Sequence, residues 1–345
     1  SALGPSYLCA APVATCKMTS PPNPFASGYA MPAASIQTIG ILDTLGGKLP
    51  PLLRDDPRGK DLEFVEMDAE GFEEQARRVD AILAFTLPEG PLPENIRWIH
   101  VLGAGVEGVL TPAEIPASTV ITRSQGTMGK RIGEYCLAHA LAQLHHLAAF
   151  REAQSTADWK PRRPGTLLDK NVLIFGTGGI GSGIASAFRP FAARVDGVSR
   201  SGRPKEWFDR VDRFSEAPER VAKCDTLILA LPRTPGTENI VDEEFLAPAR
   251  GAHLINIGRG ALIDDDALLA ALDDEKLSHA TLDVFREEPL LSDSPFWRHE
   301  KVTVTPHIAG PTDPRESSEE FYECLRGLRH GQPPPRLLVD RERGY

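Results

Sequence analysis

The stretch Asn171-Val-Leu-Ile-Phe-Gly176-Thr-Gly178-Gly179-Ile180-Gly181 decides the fold. An apolar run of strand length leads into the spacing G-x-G-x-x-G, and an apolar pattern at helical spacing follows as far as Phe188. The first glycine suits a tight turn, the second lets the backbone approach a pyrophosphate, and the third lets the helix pack on the strand. A tight turn without a ligand is the alternative. The strand–turn–helix setting favours a dinucleotide-binding unit, with residues 176 and 178–181 at the phosphates.

Outward from this turn, short β-branched runs alternate with helical or turn-rich stretches in both directions. After it, strands are predicted at Arg194–Val198, Thr226–Leu231, His253–Ile257, Ala280–Phe285 and Val302–Thr305. Before it, they are predicted at Ile36–Leu42, Leu62–Met67, Ala81–Leu87, Ile99–Leu102 and Val120–Thr122. Such alternation is typical of α/β proteins with open parallel sheets.

Two domains are expected, because 345 residues exceed what one hydrophobic core usually supports. A stretch from Met128 to about Arg151 has no proline, has no glycine after Gly133, and is predicted to form a connecting helix. Another helix is predicted from Pro311 to about Arg329. Residues 1–35 are rich in Pro, Ala and Ser, and we expect a disordered extension there.

Composition excludes several classes of partner. The formal net charge of −10 offers no overall attraction to nucleic acid or to an anionic membrane. No apolar run is long enough for a membrane-spanning helix. The 5 cysteines are scattered without a C-x-x-C pair, which fits reduced thiols and a cytoplasmic location. The histidines of the connecting helix lack metal-binding spacing, so no metal site is expected.

The end of the strand after the glycine turn indicates which nucleotide is bound. An acidic residue there would bind the ribose 2′-hydroxyl of NAD, whereas a basic one accommodates the 2′-phosphate of NADP. The strand end carries Ser199, Arg200 and Arg203, while Asp196 comes too early. A solvated basic loop is the alternative reading. The cluster favours NADP, with NAD possible.

Three further strands each end in a polar residue suited to chemistry. They carry Arg259 in Asn256-Ile-Gly-Arg-Gly, Glu288 in Asp283-Val-Phe-Arg-Glu-Glu-Pro, and His307 in Thr305-Pro-His. In a doubly wound sheet, ligands bind beyond the carboxyl ends of the strands, so these side chains can converge. Taken singly, each would more often be a surface or structural residue.

Reduction of a 2-keto acid needs these three residue types. A cation must hold the carboxylate and polarise the carbonyl, which the guanidinium of Arg259 can do. An acid must protonate the developing alkoxide near neutral pH, for which His307 is suited. A carboxylate beside the imidazole favours its charged form and fixes its orientation. Glu288 is the candidate for that role.

The chain from about Ile36 onward resembles the D-isomer-specific 2-hydroxyacid dehydrogenase family. The likeness rests on Gly103-Ala-Gly105-Val, the Gly176 turn, Leu231-Pro-Arg-Thr-Pro-Gly-Thr237 and the segments of Arg259, Glu288 and His307. The resemblance implies that backbone N–H groups around Ala104 and Gly105 receive the substrate carboxylate. It also implies that Leu231, Pro232, Ile257 and Asp283 border the cofactor. Ser199-Arg200, Ser294-Pro-Phe-Trp297 and the last residues are similar to the glyoxylate/hydroxypyruvate reductase A group.

The resemblance further implies two doubly wound domains, with a Rossmann cofactor domain inserted into a flavodoxin-like substrate domain. The substrate domain would comprise residues 36–130 and 310–345, the NAD(P)-binding domain residues 131–309, and the protein would be a homodimer. The expected activity is NADPH-preferring reduction of a small 2-keto acid. A corepressor-like protein that senses nucleotide on the same fold is the alternative.

Overall fold

A computed structural model describes residues 36–331 and 333–344. The predicted extension, residues 1–35, lies outside the described residues. Within the described part, two parallel sheets carry the fold and a two-stranded ribbon accompanies the first.

The first sheet is built before the connecting helix. The strands of this half are β1 (Thr38–Ile41), β2 (Glu63–Glu66), β3 (Ala81–Ala84), β4 (Gly90–Pro91), β5 (Trp98–Val101), β6 (Ala113–Glu114) and β7 (Val120–Arg123). Its helices are α1 (Leu49–Arg54), α2 (Phe72–Ala76) and α3 (Glu107–Leu110). The sheet order is β2-β1-β3-β5-β7, with every pair parallel. This is the flavodoxin order, while β4 and β6 form the ribbon.

The predicted connecting helix is two helices, which corrects the sequence-based expectation. They are α4 (Met128–Leu144) and α5 (Leu147–Ser155). Between them His146 adopts φ +54°, a left-handed conformation that ends the hydrogen-bond ladder of α4. Neither glycine nor proline marks this break in the sequence.

The second sheet contains the glycine turn. Its strands are β8 (Asn171–Phe175), β9 (Arg194–Val198), β10 (Arg210–Asp212), β11 (Thr226–Leu229), β12 (Ala252–Asn256), β13 (Leu277–Leu282) and β14 (Val302–Val304). Its helices are α6 (Gly179–Phe188), α7 (Ala217–Val221), α8 (Glu243–Leu246) and α9 (Asp265–Asp273). The parallel order β10-β9-β8-β11-β12-β13-β14 is the Rossmann order with one added strand. The predicted fold class is therefore confirmed.

The last helix, α10 (Pro314–Arg329), returns to the first sheet. The ring of Phe321 stacks on that of Trp98 with centroids 5.0 Å apart, and the hydroxyl of Tyr322 donates to the Leu53 carbonyl of α1. These side chains belong to one buried cluster with β1 and β3. The chain therefore crosses from the first sheet to the second and back.

Helices α4 and α6 meet backbone to backbone. A Cβ atom on Gly183 of α6 would lie 2.3 Å from the Gly129 carbonyl carbon of α4. A Cβ atom on Gly129 would in turn lie 2.8 Å from the Gly179 carbonyl oxygen. Only glycine permits this approach, so the first turn of α4 is fixed against the first turn of the helix that follows the glycine turn.

Five short 3₁₀ turns complete the described structure: Pro57–Gly59, Leu167–Asp169, Phe214–Glu216, Gly260–Leu262 and Pro295–Trp297. Within residues 36–331 and 333–344, no helix has the length and apolarity to cross a membrane.

Candidate active site

A cleft of about 1410 Å³ lies between the two sheets. The carboxyl ends of strands from both sheets line it. From the first sheet, the lining residues are Phe85 and Thr86 after β3, residues 103–108 after β5, and Arg123 and Gln125 at the end of β7. From the second sheet, they include residues 176–181 after β8, Ser199–Ser201 after β9 and residues 257–259 after β12. A crevice at this position is where doubly wound proteins bind their ligands.

The glycine turn is shaped as a phosphate cradle. Gly176 adopts φ +100°, and a Cβ there would lie 2.4 Å from the Ala230 carbonyl oxygen. A Cβ on Gly181 would lie 1.8 Å from the Gly176 carbonyl oxygen, so this glycine sets how closely α6 approaches β8. A Cβ on Gly178 would meet no atom within 4 Å. The side of the turn that faces the cleft is therefore open for a pyrophosphate at the N-terminus of α6.

Basic residues follow β9 at the far end of the same cleft. Ser199 and Arg200, which the sequence analysis selected, line the cleft, and so does Lys205, which it did not select. Arg203 is exposed and is not among the lining residues. Asp196, on β9, is buried and bonded to Arg194 at 2.7 Å, so its carboxylate is not presented at the strand end.

Arg259 follows β12 and projects its guanidinium across the cleft. Its Nη1 donates to the Gly258 carbonyl at 2.6 Å, and the Asn256 amide donates to the Arg259 carbonyl at 3.0 Å. A Cβ on Gly105 would lie 1.6 Å from Nη2 of Arg259, so the guanidinium rests directly on the backbone of the predicted carboxylate loop. Ala104 and Gly105 line the cleft beside it.

His307 and Glu288 form a close pair at the edge of the cleft. The Nδ1 atom of His307 lies 2.7 Å from Oε2 of Glu288. His307 lines the cleft and Glu288 does not, so the carboxylate reaches the site only through the imidazole. His307 has φ +53°, a conformation that is uncommon for a residue with a side chain and is typical of functional positions.

Asp283 holds the segment that carries His307. Its buried carboxylate accepts the backbone N–H groups of Ile308 at 2.9 Å and Ala309 at 2.8 Å, and the Thr305 hydroxyl at 2.6 Å. The His307 N–H donates to the Asp283 carbonyl at 2.9 Å. Asp283 also lines the cleft with Leu231, Pro232 and Ile257.

Glu107 is a charged residue of the site that the sequence analysis missed. It lies in the first turn of α3, and its Oε2 accepts from Nη2 of Arg259 at 2.9 Å. Although burial alone would raise the pKa of this carboxyl, the charge of Arg259 and a hydrogen bond from it hold the pKa below its ordinary value. Glu107 is therefore a carboxylate at neutral pH.

Comparison with known proteins identifies the family. Residues 137–309 match the family model described as D-isomer specific 2-hydroxyacid dehydrogenase, NAD binding domain. Glyoxylate/hydroxypyruvate reductase A of Serratia proteamaculans is 36% identical over 281 residues, which cover 78% of this chain and 88% of that protein. The chain belongs to the D-isomer specific 2-hydroxyacid dehydrogenase family. It is accordingly an oxidoreductase of the NAD(P)-dependent 2-hydroxyacid dehydrogenase class, and the resemblance noted from its motifs is confirmed.

Solved structures of this dehydrogenase family have the same architecture. A family member from Xanthobacter autotrophicus Py2, in complex with NADPH and MES, is 27% identical with a TM-score of 0.80, covering 90% of this chain and all of that one. A family protein from Aeromonas salmonicida is 30% identical with a TM-score of 0.78, covering 89% and 100%.

Proposed function

We propose that this dehydrogenase is an NADPH-preferring reductase that converts small 2-keto acids, of the glyoxylate and hydroxypyruvate kind, into D-2-hydroxy acids. One observation carries the proposal: Arg259 and His307 line the same cleft as the glycine turn, and His307 is paired with Glu288. The relative from Serratia proteamaculans is named for reduction of these two acids.

Arg259 is the residue that binds and polarises the substrate. Its guanidinium presents planar N–H donors that suit a carboxylate and the adjacent carbonyl oxygen. Because it rests on Gly105, a carboxylate bound to it lies beside the backbone of Ala104 and Gly105. Substrate is thus held by one cation and by main-chain donors at the end of β5.

His307 is the proton donor. Glu288 engages Nδ1, which leaves Nε2 as the ring nitrogen for the substrate oxygen. The carboxylate fixes the orientation of the ring. On reduction, His307 gives its Nε2 proton to the developing alkoxide while Arg259 stabilises the charge on that oxygen.

The glycine turn and the residues after β9 would hold the nucleotide, whose nicotinamide supplies the hydride when bound. The open side of Gly178 accommodates the pyrophosphate, and Leu231, Pro232 and Ile257 offer an apolar wall. Ser199, Arg200 and Lys205 would receive a 2′-phosphate, with Arg203 adding positive charge nearby. The Xanthobacter autotrophicus relative, solved with NADPH, supports this preference.

The proposed domains are residues 36–130 with 310–345 for substrate and 131–309 for nucleotide, closing about the cleft. A homodimer is proposed through the segment around α5. Within α5, none of residues 147–155 is buried, and Trp159 and Leu168 are 95% and 73% exposed. This exposed apolar surface supports the proposed interface. The buried thiols of Cys136, Cys224 and Cys324 agree with a cytoplasmic location.

Steady-state assays test the proposed function. Glyoxylate and hydroxypyruvate are supplied with NADPH or NADH and nucleotide oxidation is measured, together with the configuration of the glycerate formed from hydroxypyruvate. We expect turnover with a preference for NADPH. Arg259→Ala and His307→Ala should abolish turnover while NADPH still binds, as measured by calorimetry. Full activity of either purified variant would refute the roles assigned to Arg259 and His307. Nucleotide binding without any turnover by the wild type would favour the nucleotide-sensing alternative.

A further inference from the structure

Glu107 and Arg259 join the two sides of the cleft at the point where substrate must bind. Glu107 belongs to the first half of the chain and Arg259 to the second, and their ion pair is 2.9 Å long. The other oxygen of Glu107 lies 3.4 Å from the backbone N–H of Arg233, which follows β11. Both bonds of this carboxylate therefore reach the nucleotide side of the cleft.

The Glu107–Arg259 pair is partly shielded from solvent, so water weakens its electrostatic interactions less than it would at an exposed site. The side chains of Arg259 and Glu107 are 30% and 24% exposed. Closure of the cleft around a substrate would remove more water from between them. Charges interact more strongly in such surroundings than in bulk water.

We propose that Glu107 is a specificity-determining residue that admits 2-keto monocarboxylates and rejects 2-keto acids that carry a second negative charge. The inference rests on the proposed function, since it takes Arg259 as the binder of the substrate carboxylate. One guanidinium then faces two carboxylates, that of the substrate and that of Glu107. The guanidinium and the two carboxylates together carry a net charge of −1. A second carboxylate on the substrate would make the net charge −2.

The small size of the substrate makes the repulsion unavoidable. A three- or four-carbon acid bound to Arg259 has no atom far from Glu107, because Glu107 contacts the same guanidinium. A neutral hydroxyl on the substrate is tolerated and can donate to the Glu107 carboxylate. Glu107 thus favours uncharged, hydroxyl-bearing substituents over anionic ones.

Other charged residues that line the cleft include Arg123, Asp283 and His307. Glu342 and Arg343 also line it, and the neighbouring Gly344 lies near Thr234, in the loop whose Arg233 N–H contacts Glu107. Asp283 adds negative charge, and its carboxylate is occupied by three hydrogen bonds to residues 305–309. Arg123 donates through Nη1 to the Ala104 carbonyl at 2.8 Å, on the backbone of the loop that precedes Glu107. A dicarboxylate held between Arg259 and Arg123 is the arrangement that competes with the proposal.

Turnover measurements on Glu107→Gln provide the first test, with Glu107→Asp as the charge-conserving control. The ratio of kcat/KM for hydroxypyruvate to that for oxaloacetate, a 2-keto dicarboxylate, is measured with NADPH for each protein. We expect the ratio to fall by about tenfold to a hundredfold in Glu107→Gln, the effect of removing one like-charge repulsion, and to change little in Glu107→Asp. An unchanged ratio in Glu107→Gln, or a wild-type preference for oxaloacetate, would overturn the proposal.

A binding measurement keeps this inference separate from the proposed function. Oxamate and oxalate have nearly the same shape, but oxamate carries one negative charge and oxalate two. We expect NADP-loaded wild-type protein to bind oxamate more tightly than oxalate in calorimetric titrations, and Glu107→Gln to lower the ratio of the two Kd values by about tenfold or more. The same Kd ratio in both proteins would overturn the role of Glu107 even if reduction is observed. A lowered Kd ratio without turnover would support the role of Glu107 while the proposed function fails.

Discussion

The carboxylate of Glu288 is held from two directions before it meets His307. Its Oε2 lies 2.7 Å from Nδ1 of His307, and its Oε1 accepts the backbone N–H of Phe285 at 2.9 Å. The acid therefore cannot rotate away without losing a main-chain hydrogen bond. This relationship, together with the left-handed backbone of His307, would leave Nε2 as the ring nitrogen that faces the proposed substrate.

Substitution at the pair should affect turnover more than substrate binding. We expect His307→Gln to lower kcat by about 10²–10⁴-fold, because it removes the proposed proton donor. Glu288→Gln keeps the bond to Phe285 but loses the charge, and should lower kcat by a smaller factor of roughly 10–100-fold. Steady-state kinetics with NADPH separate kcat from KM. A rise confined to KM in both variants would contradict these roles.

The glycine turn offers a matched pair of substitutions. Gly178→Ala adds a Cβ in open space, so the variant should fold with wild-type stability but bind NADPH at least about tenfold more weakly, because the Cβ occupies room meant for pyrophosphate. Gly181→Ala forces α6 away from the Gly176 carbonyl and should cost about 1–3 kcal/mol of unfolding free energy. Urea unfolding and NADPH titration measure both effects. Equal stability of the two variants would refute this division of roles.

The preference for NADPH should depend on the residues that line the cleft after β9. We expect Arg200→Ala and Lys205→Ala each to raise KM for NADPH by about tenfold with little effect on NADH, since each removes a cation near the 2′-phosphate. Arg203→Ala is the comparison, because Arg203 does not line the cleft and should change the preference less. The ratio of kcat/KM for NADPH to that for NADH is measured for each variant. A larger change in this ratio at Arg203 than at Lys205 would contradict the proposal that Lys205 binds the 2′-phosphate.

Glu316 should make stability depend on pH in acid. Burial alone would raise its pKa, but hydrogen bonds from Arg131 and Thr127 lower the pKa to about 2 from 4.5. A lowered folded-state pKa stabilises the protein above the unfolded value, and this contribution is lost as pH falls from 4.5 toward 2. We expect Glu316→Gln to cost about 1–2 kcal/mol at pH 7 after allowance for solvent screening, and less at pH 4.

Urea unfolding at pH 7, 5 and 4 measures the Glu316 effect. Glu73→Gln is the control, because its ion pair with Arg77 lies on the surface and should contribute under about 1 kcal/mol at any pH. If the loss of unfolding free energy caused by Glu316→Gln increased as the pH fell, the prediction would be contradicted.

The proposed homodimer can be tested at the exposed apolar segment. We expect the wild type to be a dimer. Trp159→Lys combined with Leu168→Glu should shift the protein toward monomer, because both large apolar side chains are exposed and the substitutions place charges in the proposed interface. Light scattering coupled to gel filtration gives the mass. Leu291→Lys, at an exposed site outside residues 147–168, should leave the mass unchanged. A monomeric wild type would refute the dimer.

The sequence predicts the second half of the chain more closely than the first. The bounds of Asn171–Phe175, Arg194–Val198 and the helix Gly179–Phe188 agree with the structure. The glycine turn marks where the first of these strands ends and where the helix begins. Other strands shift by a few residues. The edge strand Arg210–Asp212 was missed because its charged residues alternate around one valine and resemble a loop.

The sequence placed Arg259, Glu288 and His307 on separate strand ends and predicted their convergence from topology alone. Arg259 and His307 do line one cleft, and Glu288 contacts His307. Glu107 and Lys205 could not be found in this way. An acid in the first turn of a helix is typical of solvated, dipole-stabilised residues, and its partner lies far along the chain. Only the packing of the two halves brings Glu107 to Arg259.

The side-chain-free crossing of α4 and α6 at Gly129 and Gly183 has a mechanical consequence. Because backbones are in contact there, the start of α4, where the chain enters the second half, is held against α6 next to the phosphate turn. Opening of the cleft should pivot about that crossing. Bound phosphates would then lie near the pivot and move little, while residues 103–107, the proposed carboxylate-binding loop, would move farther. Such a device would let product escape while the nucleotide remains seated.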